Sequence, residues 1–143
     1  AVVIYVANEP VVLQSQGYPT DLIRVDDYLT LVSNGLITNE KTLKEDPEMV
    51  KSMVRALLHG IRDTIANPDE AYQISLRYVE TLAQSDENVQ KRVLMRSIEL
   101  WQGPTLGFSD PNAWENMSSI LKSMDLLKGD VDLSKAFTND FLP

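Results

Sequence analysis

Three Asx-Pro pairs, Asp46-Pro47, Asn67-Pro68 and Asp110-Pro111, constrain this chain more than anything else in it. Each puts a short acceptor side chain directly before a proline. The acceptor can cap a helix start, and the proline presets the first helical residue at a position where no N–H is needed. A residue before proline avoids the helical region, so each pair also ends whatever precedes it. The chain beyond residue 46 is thereby cut into helices.

The apolar spacing agrees. After Pro47, Met49, Met53, Leu57, Ile61 and Ile65 recur at steps of four with Val50, Val54 and Leu58 beside them, and Lys51, Arg55, Arg62 and Asp63 lie opposite. This predicts an amphipathic helix to about Ala66. A second helix is expected from Pro68 to about Ala83, with Ala71, Ile74, Tyr78 and Leu82 on one side. Ser85 is expected to cap a third, with Asp86 and Glu87 favourable to its dipole and Val89, Val93, Leu94, Ile98 and Trp101 as its buried face. Gly103-Pro104 breaks it, and a fourth helix carries Trp114, Met117, Leu121 and Met124. The methionines read as core filler and both tryptophans as core anchors. The tail VDLSKAFTNDFLP is amphipathic through Phe137, Phe141 and Leu142 and is expected to dock.

The first third reads differently. Val2, Val3, Ile4, Tyr5 and Val6 form an apolar, largely β-branched run, expected to be a strand covered on both faces. Asn8-Glu9-Pro10 then makes a polar turn into a short helix stopped by Gly17. Thr20–Val25 reads as a second strand and Gly35–Thr38 as a third extended piece. The expected class is α/β but mostly helical: a short βαβ-like start, four helices and a docking tail.

Net charge is −8 and no run of Lys and Arg offsets it, which argues against a nucleic-acid partner. With no cysteine there is no disulfide, thiolate nucleophile or Cys-rich zinc site. That composition fits an oxidising compartment. No run has membrane-spanning length, and none has signal-peptide character, so any export signal is expected on a segment outside this sequence. The one histidine, His59, falls mid-helix and about 200° round from Leu57, an outward position without metal-ligand company. Motifs for phosphate loops, dinucleotide turns, nucleophile elbows and zinc helices are missing. No catalytic, metal or cofactor site is therefore expected.

Two polar groups follow the expected strands at their carboxyl ends, where open α/β sheets bind ligands. Asn8 offers a donor and an acceptor, and Glu9 accepts from an amine or amide. Asp26-Asp27-Tyr28 adds acceptors and, in Tyr28, a flat face for a ring. A plainer reading stands beside this one: Asn8 and Glu9 start a helix, and Asp26 and Asp27 shape a turn.

The segments YVANEPVVLQSQGY, VDDY, SNGLITNEKTLKEDPEMV, ANPDEAYQIS and DLSKAFTNDFL, in that order, resemble the carboxyl-terminal half of an ABC-importer substrate-binding protein. The branch is that of the thiamine-pyrimidine-precursor binding and synthesis proteins, with sulfonate, nitrate and riboflavin binders as neighbours. The resemblance covers essentially the whole chain. It implies part of a type 2 periplasmic-binding fold, with 1–34 from the second lobe, 35–39 as a crossover and 40–143 as the helical end of the first lobe. It implies Asn8 and Glu9 at the ligand cleft, with Asp27, Tyr28 and Asn34 as further ligand residues by position. Pro10 departs from the small residue that some relatives have.

The resemblance further implies an extracytoplasmic solute receptor that closes two lobes on a heteroaromatic or vitamin-like ligand and hands it to the importer's membrane subunits. The alternatives are a pyrimidine-precursor synthase on the same fold, and a helical interaction module of a different class. The piece by itself is expected to dimerise, swap elements or aggregate, because the Ala1–Ala7 strand would expose an edge.

Overall fold

A computed structural model describes residues 1–143. Six α-helices carry the fold: α1 (Glu9–Ser15), α2 (Glu40–Glu45), α3 (Pro47–Ala66), α4 (Pro68–Ser75), α5 (Glu87–Trp101) and α6 (Pro111–Ser123). Short 3-10 turns occur at Val25–Asp27, Leu82–Gln84 and Leu133–Lys135.

The helix starts follow from local chemistry. The Asp46 carboxylate accepts from the Met49 N–H at 3.1 Å, Asn67 from Glu70 at 3.3 Å and Asp110 from Asn112 at 2.9 Å. Each side chain satisfies a backbone donor that the first helical turn leaves unpaired. Helix α5 begins one residue later than expected. Asp86, not Ser85, takes the cap by accepting from the Val89 N–H at 3.0 Å, while the Ser85 hydroxyl donates to the Thr81 carbonyl. Helix α4 stops at Ser75 and does not reach Ala83. The Ser75 hydroxyl donates back to the Ala71 carbonyl, and the bonds from Arg77 to Ile74 and from Tyr78 to Ser75 tighten the chain out of α-helix. Gly17 ends the α1 region at φ +85°, a left-handed conformation that glycine adopts without steric cost.

No β-strand forms, so the βαβ-like start is corrected to extended chain around one short helix. Val2–Val6, Thr20–Val25 and Gly35–Thr38 have strand composition, but no segment of this chain pairs with them. A lone extended segment leaves its backbone groups to solvent and its side chains uncovered. Val3 and Ile37 are 96% and 97% exposed accordingly.

The chain divides into two compact units, with the division falling inside α3. The first comprises residues 1–23 and 58–106. In it α5 packs against α1 and against α4, and Ala7, Val11, Leu58, Tyr72 and Ile98 are buried. Lys91 of α5 binds Glu87 at 3.0 Å and Asp69 of α4 at 3.2 Å, with its ammonium 5.4 Å from the centre of the buried Tyr72 ring. These contacts tie α4 to α5.

The second unit comprises residues 24–57 and 107–143. Its tail docks as expected. Phe137 stacks on Trp114 with centroids 5.2 Å apart and planes 8° from parallel, and the Trp114 indole N–H donates to Ser109 Oγ at 2.9 Å. The Asn139 amide clasps Ser109 at both backbone groups, accepting from its N–H and donating to its carbonyl. Asn116 donates to the Thr30 carbonyl at 3.0 Å. Several expectations about the core change, and of the methionines expected as filler Met95 and Met124 are exposed. Met49, Met53 and Leu57 are exposed, so this stripe of α3 is not core within the chain. Trp101, at the end of α5, is more than a third exposed and is not a buried anchor, whereas Trp114 stacks on Phe137.

Candidate functional site

Asn8 and Glu9 lie in the first unit, and Asp27, Tyr28 and Asn34 in the second. Within the first unit, the turn between Tyr5 and Glu9 is closed twice. The Asn8 N–H donates to the Tyr5 carbonyl at 3.1 Å, and the Tyr5 N–H donates to Glu9 Oε2 at 3.1 Å. Glu9 therefore acts as a local clasp and also places a carboxylate at the positive end of α1. Asn8 occupies the cap position, but its side chain makes no capping bond, and it is exposed. The structure thus brings Asn8 and Glu9 together on one turn. Glu9 carries the structural task of the plainer reading, while the Asn8 amide is uncommitted.

In the second unit, Asp27 and Tyr28 are brought together at the 3-10 turn Val25–Asp27, where the Tyr28 N–H donates to the Val25 carbonyl at 3.0 Å. Arg24 forks onto Asp26: Nε donates to Oδ1 at 3.1 Å and Nη2 to Oδ2. The guanidinium also lies 3.8 Å from Asp27 Oδ1. Tyr28 is 81% exposed, so its ring face is open. Asn34 is exposed in the extended segment that follows.

The fork has an electrostatic signature. Hydrogen bonding from Arg24 holds the Asp26 carboxyl below the usual carboxylate range, and the same bond raises Arg24. A depressed folded pKa means the pair contributes above the unfolded carboxylate pKa and is lost as pH falls through the folded one. The pair is exposed, so the effect reads in titration more than in stability. Side-chain carboxyl NMR should find Asp26 titrating below an ordinary aspartate, and Arg24→Gln should return it to the ordinary range. An unchanged Asp26 midpoint in that variant would remove Arg24 as the cause.

No three or more His, Asp or Glu side chains gather as a metal site. His59 is exposed, and no helix is long and apolar enough to cross a membrane. The cavity beside α1 does not include Asn8 or Glu9. It measures about 570 Å3 and lies between α1 and one face of α5, with Lys91, Arg92 and Arg96 on its wall. In the sequence these cations do not stand out, because three basic residues within KRVLMR make no continuous run. Helical geometry supplies what the run lacks, since positions three and four apart lie side by side and the steps from 88 to 91 and 92, 95 and 96, and 99 keep to one face.

Residues 1–71 match the family described as NMT1/THI5 like. The chain is 36% identical over 97% of its length to the riboflavin-binding protein RibY of Chloroflexus aurantiacus. It is 30% identical over 94% of its length to the formylaminopyrimidine-binding protein of Halalkalibacterium halodurans. A third relative is the 4-amino-5-hydroxymethyl-2-methylpyrimidine phosphate synthase of Legionella pneumophila, 25% identical over 75% of the chain. The chain spans 41%, 42% and 32% of these three proteins, respectively.

Proposed function

From the match of residues 1–71 to the family described as NMT1/THI5 like, we propose that the chain is part of a solute-binding protein that captures a small heteroaromatic ligand. The observation that carries this reading is that the two relatives matching nearly the whole chain are both binding proteins, one for riboflavin and one for formylaminopyrimidine. Both ligands present a flat, nitrogen-containing group bearing donors and acceptors. Asn8 offers both kinds of partner, Glu9 has a second carboxylate oxygen beyond the one held by Tyr5, and Tyr28 offers an open ring face.

In this reading residues 1–34 serve one lobe, 35–39 form the crossover, and 40–143 serve the other. The lobes close on the ligand by a hinge at the crossover. Asn8, Glu9, Asp27, Tyr28 and Asn34 contact the ligand. The receptor works outside the cytoplasmic membrane and passes its ligand to the membrane subunits of an ABC importer, with no bond broken. The synthase relative supports a second reading, in which the family's pyrimidine chemistry takes place on this fold. Its lower identity over less of the chain places it behind the first.

Thermal unfolding of the full-length protein tests the choice. Riboflavin or formylaminopyrimidine at a hundredfold excess over Kd should stabilise it by about 2.7 kcal/mol, while a sulfonate should not. No stabilisation by either heteroaromatic would sink the reading, and pyrimidine phosphate formed by the purified protein would favour the synthase. Glu9 separates ligand contact from local clasp. Glu9→Gln keeps an oxygen for the Tyr5 N–H but loses the charge, so it should weaken ligand binding about tenfold with little change in melting temperature. Glu9→Ala should lower both. Equal ligand affinity in Glu9→Gln and wild type would leave Glu9 with the clasp alone.

A further inference from the structure

The cavity between α1 and α5 is not used by the proposed solute site. Its α5 wall is built from residues at positions 88, 91, 92, 95, 96 and 99, the successive turns of one helix face. Leu22 and Met95 give it apolar surface that is 44% and 49% exposed. Lys91, Arg92 and Arg96 line it against a single carboxylate, Glu99, in a chain whose net charge is −8. Glu87 and Asp69 on Lys91 and Glu99 on Arg96 offset two of the three cations, which leaves Arg92 as the cation of this apolar-floored recess that no carboxylate neutralises.

The three cations differ in availability. Arg96 is paired with Glu99, and Lys91 with Glu87 and Asp69. Arg92 has no ion pair or hydrogen bond and is exposed. Exposed ion pairs of the kind holding Lys91 and Arg96 are weak and exchange readily for a better-placed anion. Its volume of about 570 Å3 falls in the range of small-molecule sites, which combine apolar walls with a few convergent polar groups.

We propose that this cavity is a separate site for a small organic anion with a flat apolar body, the ring lying on Leu22 and Met95 and the phosphate or carboxylate on Arg92, with Lys91 and Arg96 flanking it. A planar guanidinium matches either anion in a two-pronged contact. The site does not depend on Asn8 or Glu9, and the solute reading enters only through the choice of probe.

Flavin mononucleotide and riboflavin share a ring and differ by a phosphate, so the pair isolates the anion. With the full-length protein, equilibrium dialysis should find one more binding site for flavin mononucleotide than for riboflavin. Occupancy of that extra site should fall as salt rises, because exposed charges are screened. Arg92→Glu should weaken the extra site at least tenfold and Arg92→Gln by less, with riboflavin binding unchanged in both. Absence of the extra site, or indifference to Arg92→Glu, would overturn the proposal. So would inorganic phosphate binding as tightly as the mononucleotide, since the apolar floor would then contribute nothing. Arg92-dependent binding of the mononucleotide without any riboflavin binding would support this site while defeating the solute reading.

Discussion

Ile98→Ala is expected to destabilise the full-length protein by about 2–4 kcal/mol, lowering its urea midpoint by about 1–2 M. Ile98 is 4% exposed on α5, the helix that packs against both α1 and α4 in the first unit. Removing its buried branches forfeits their transfer from water and leaves a void that fixed neighbours cannot close. Few side chains share that burden: Ala7, Pro10, Val11, Leu58 and Tyr72 are the other buried apolar residues of the unit. Met95→Ala, on the same helix but half exposed, is the control and should shift the midpoint much less. Equal effects of the two substitutions would mean that burial at Ile98 does not set stability here.

Trp114→Ala should be nearly as damaging, at about 3 kcal/mol, and should act on the second unit. The substitution removes the stacked face for Phe137 and the indole donor to Ser109 together. Ser109 is also the residue that Asn139 clasps, so one change loosens the tail at two points. Trp114→Phe separates the contributions. It keeps a ring for Phe137 and loses only the hydrogen bond, for about 1 kcal/mol. Hydrogen exchange should show the Ser109 and Leu142 amides losing protection in Trp114→Ala and keeping most of it in Trp114→Phe. Unchanged protection in both variants would mean that the tail is held by other contacts.

The helix boundaries were legible because their causes are local. At Asp46-Pro47, Asn67-Pro68 and Asp110-Pro111 the capping oxygen and the donor it satisfies lie two or three residues apart. The misplaced boundary at Ser75 is equally local, but its cause is a serine bonding back to Ala71, which composition does not distinguish from a solvent-facing serine. The docking tail was legible from its aromatic spacing, although its partner, Trp114, was not. At the candidate site, the Asn8-Glu9 turn was legible as polar punctuation. That Glu9 closes it by accepting from the Tyr5 backbone was not.

By itself, the sequence determined where α3, α4 and α6 begin and which short segments are apolar enough to be strands. Only the tertiary structure decided that those segments go unpaired in this chain, that the Met49, Met53 and Leu57 stripe stays open, and that Lys91, Arg92 and Arg96 border a common recess with Leu22. The physical reason is range. A cap or a proline acts within one helical turn, whereas a strand or a cavity needs partners far along the chain, and which distant segments meet is settled by packing.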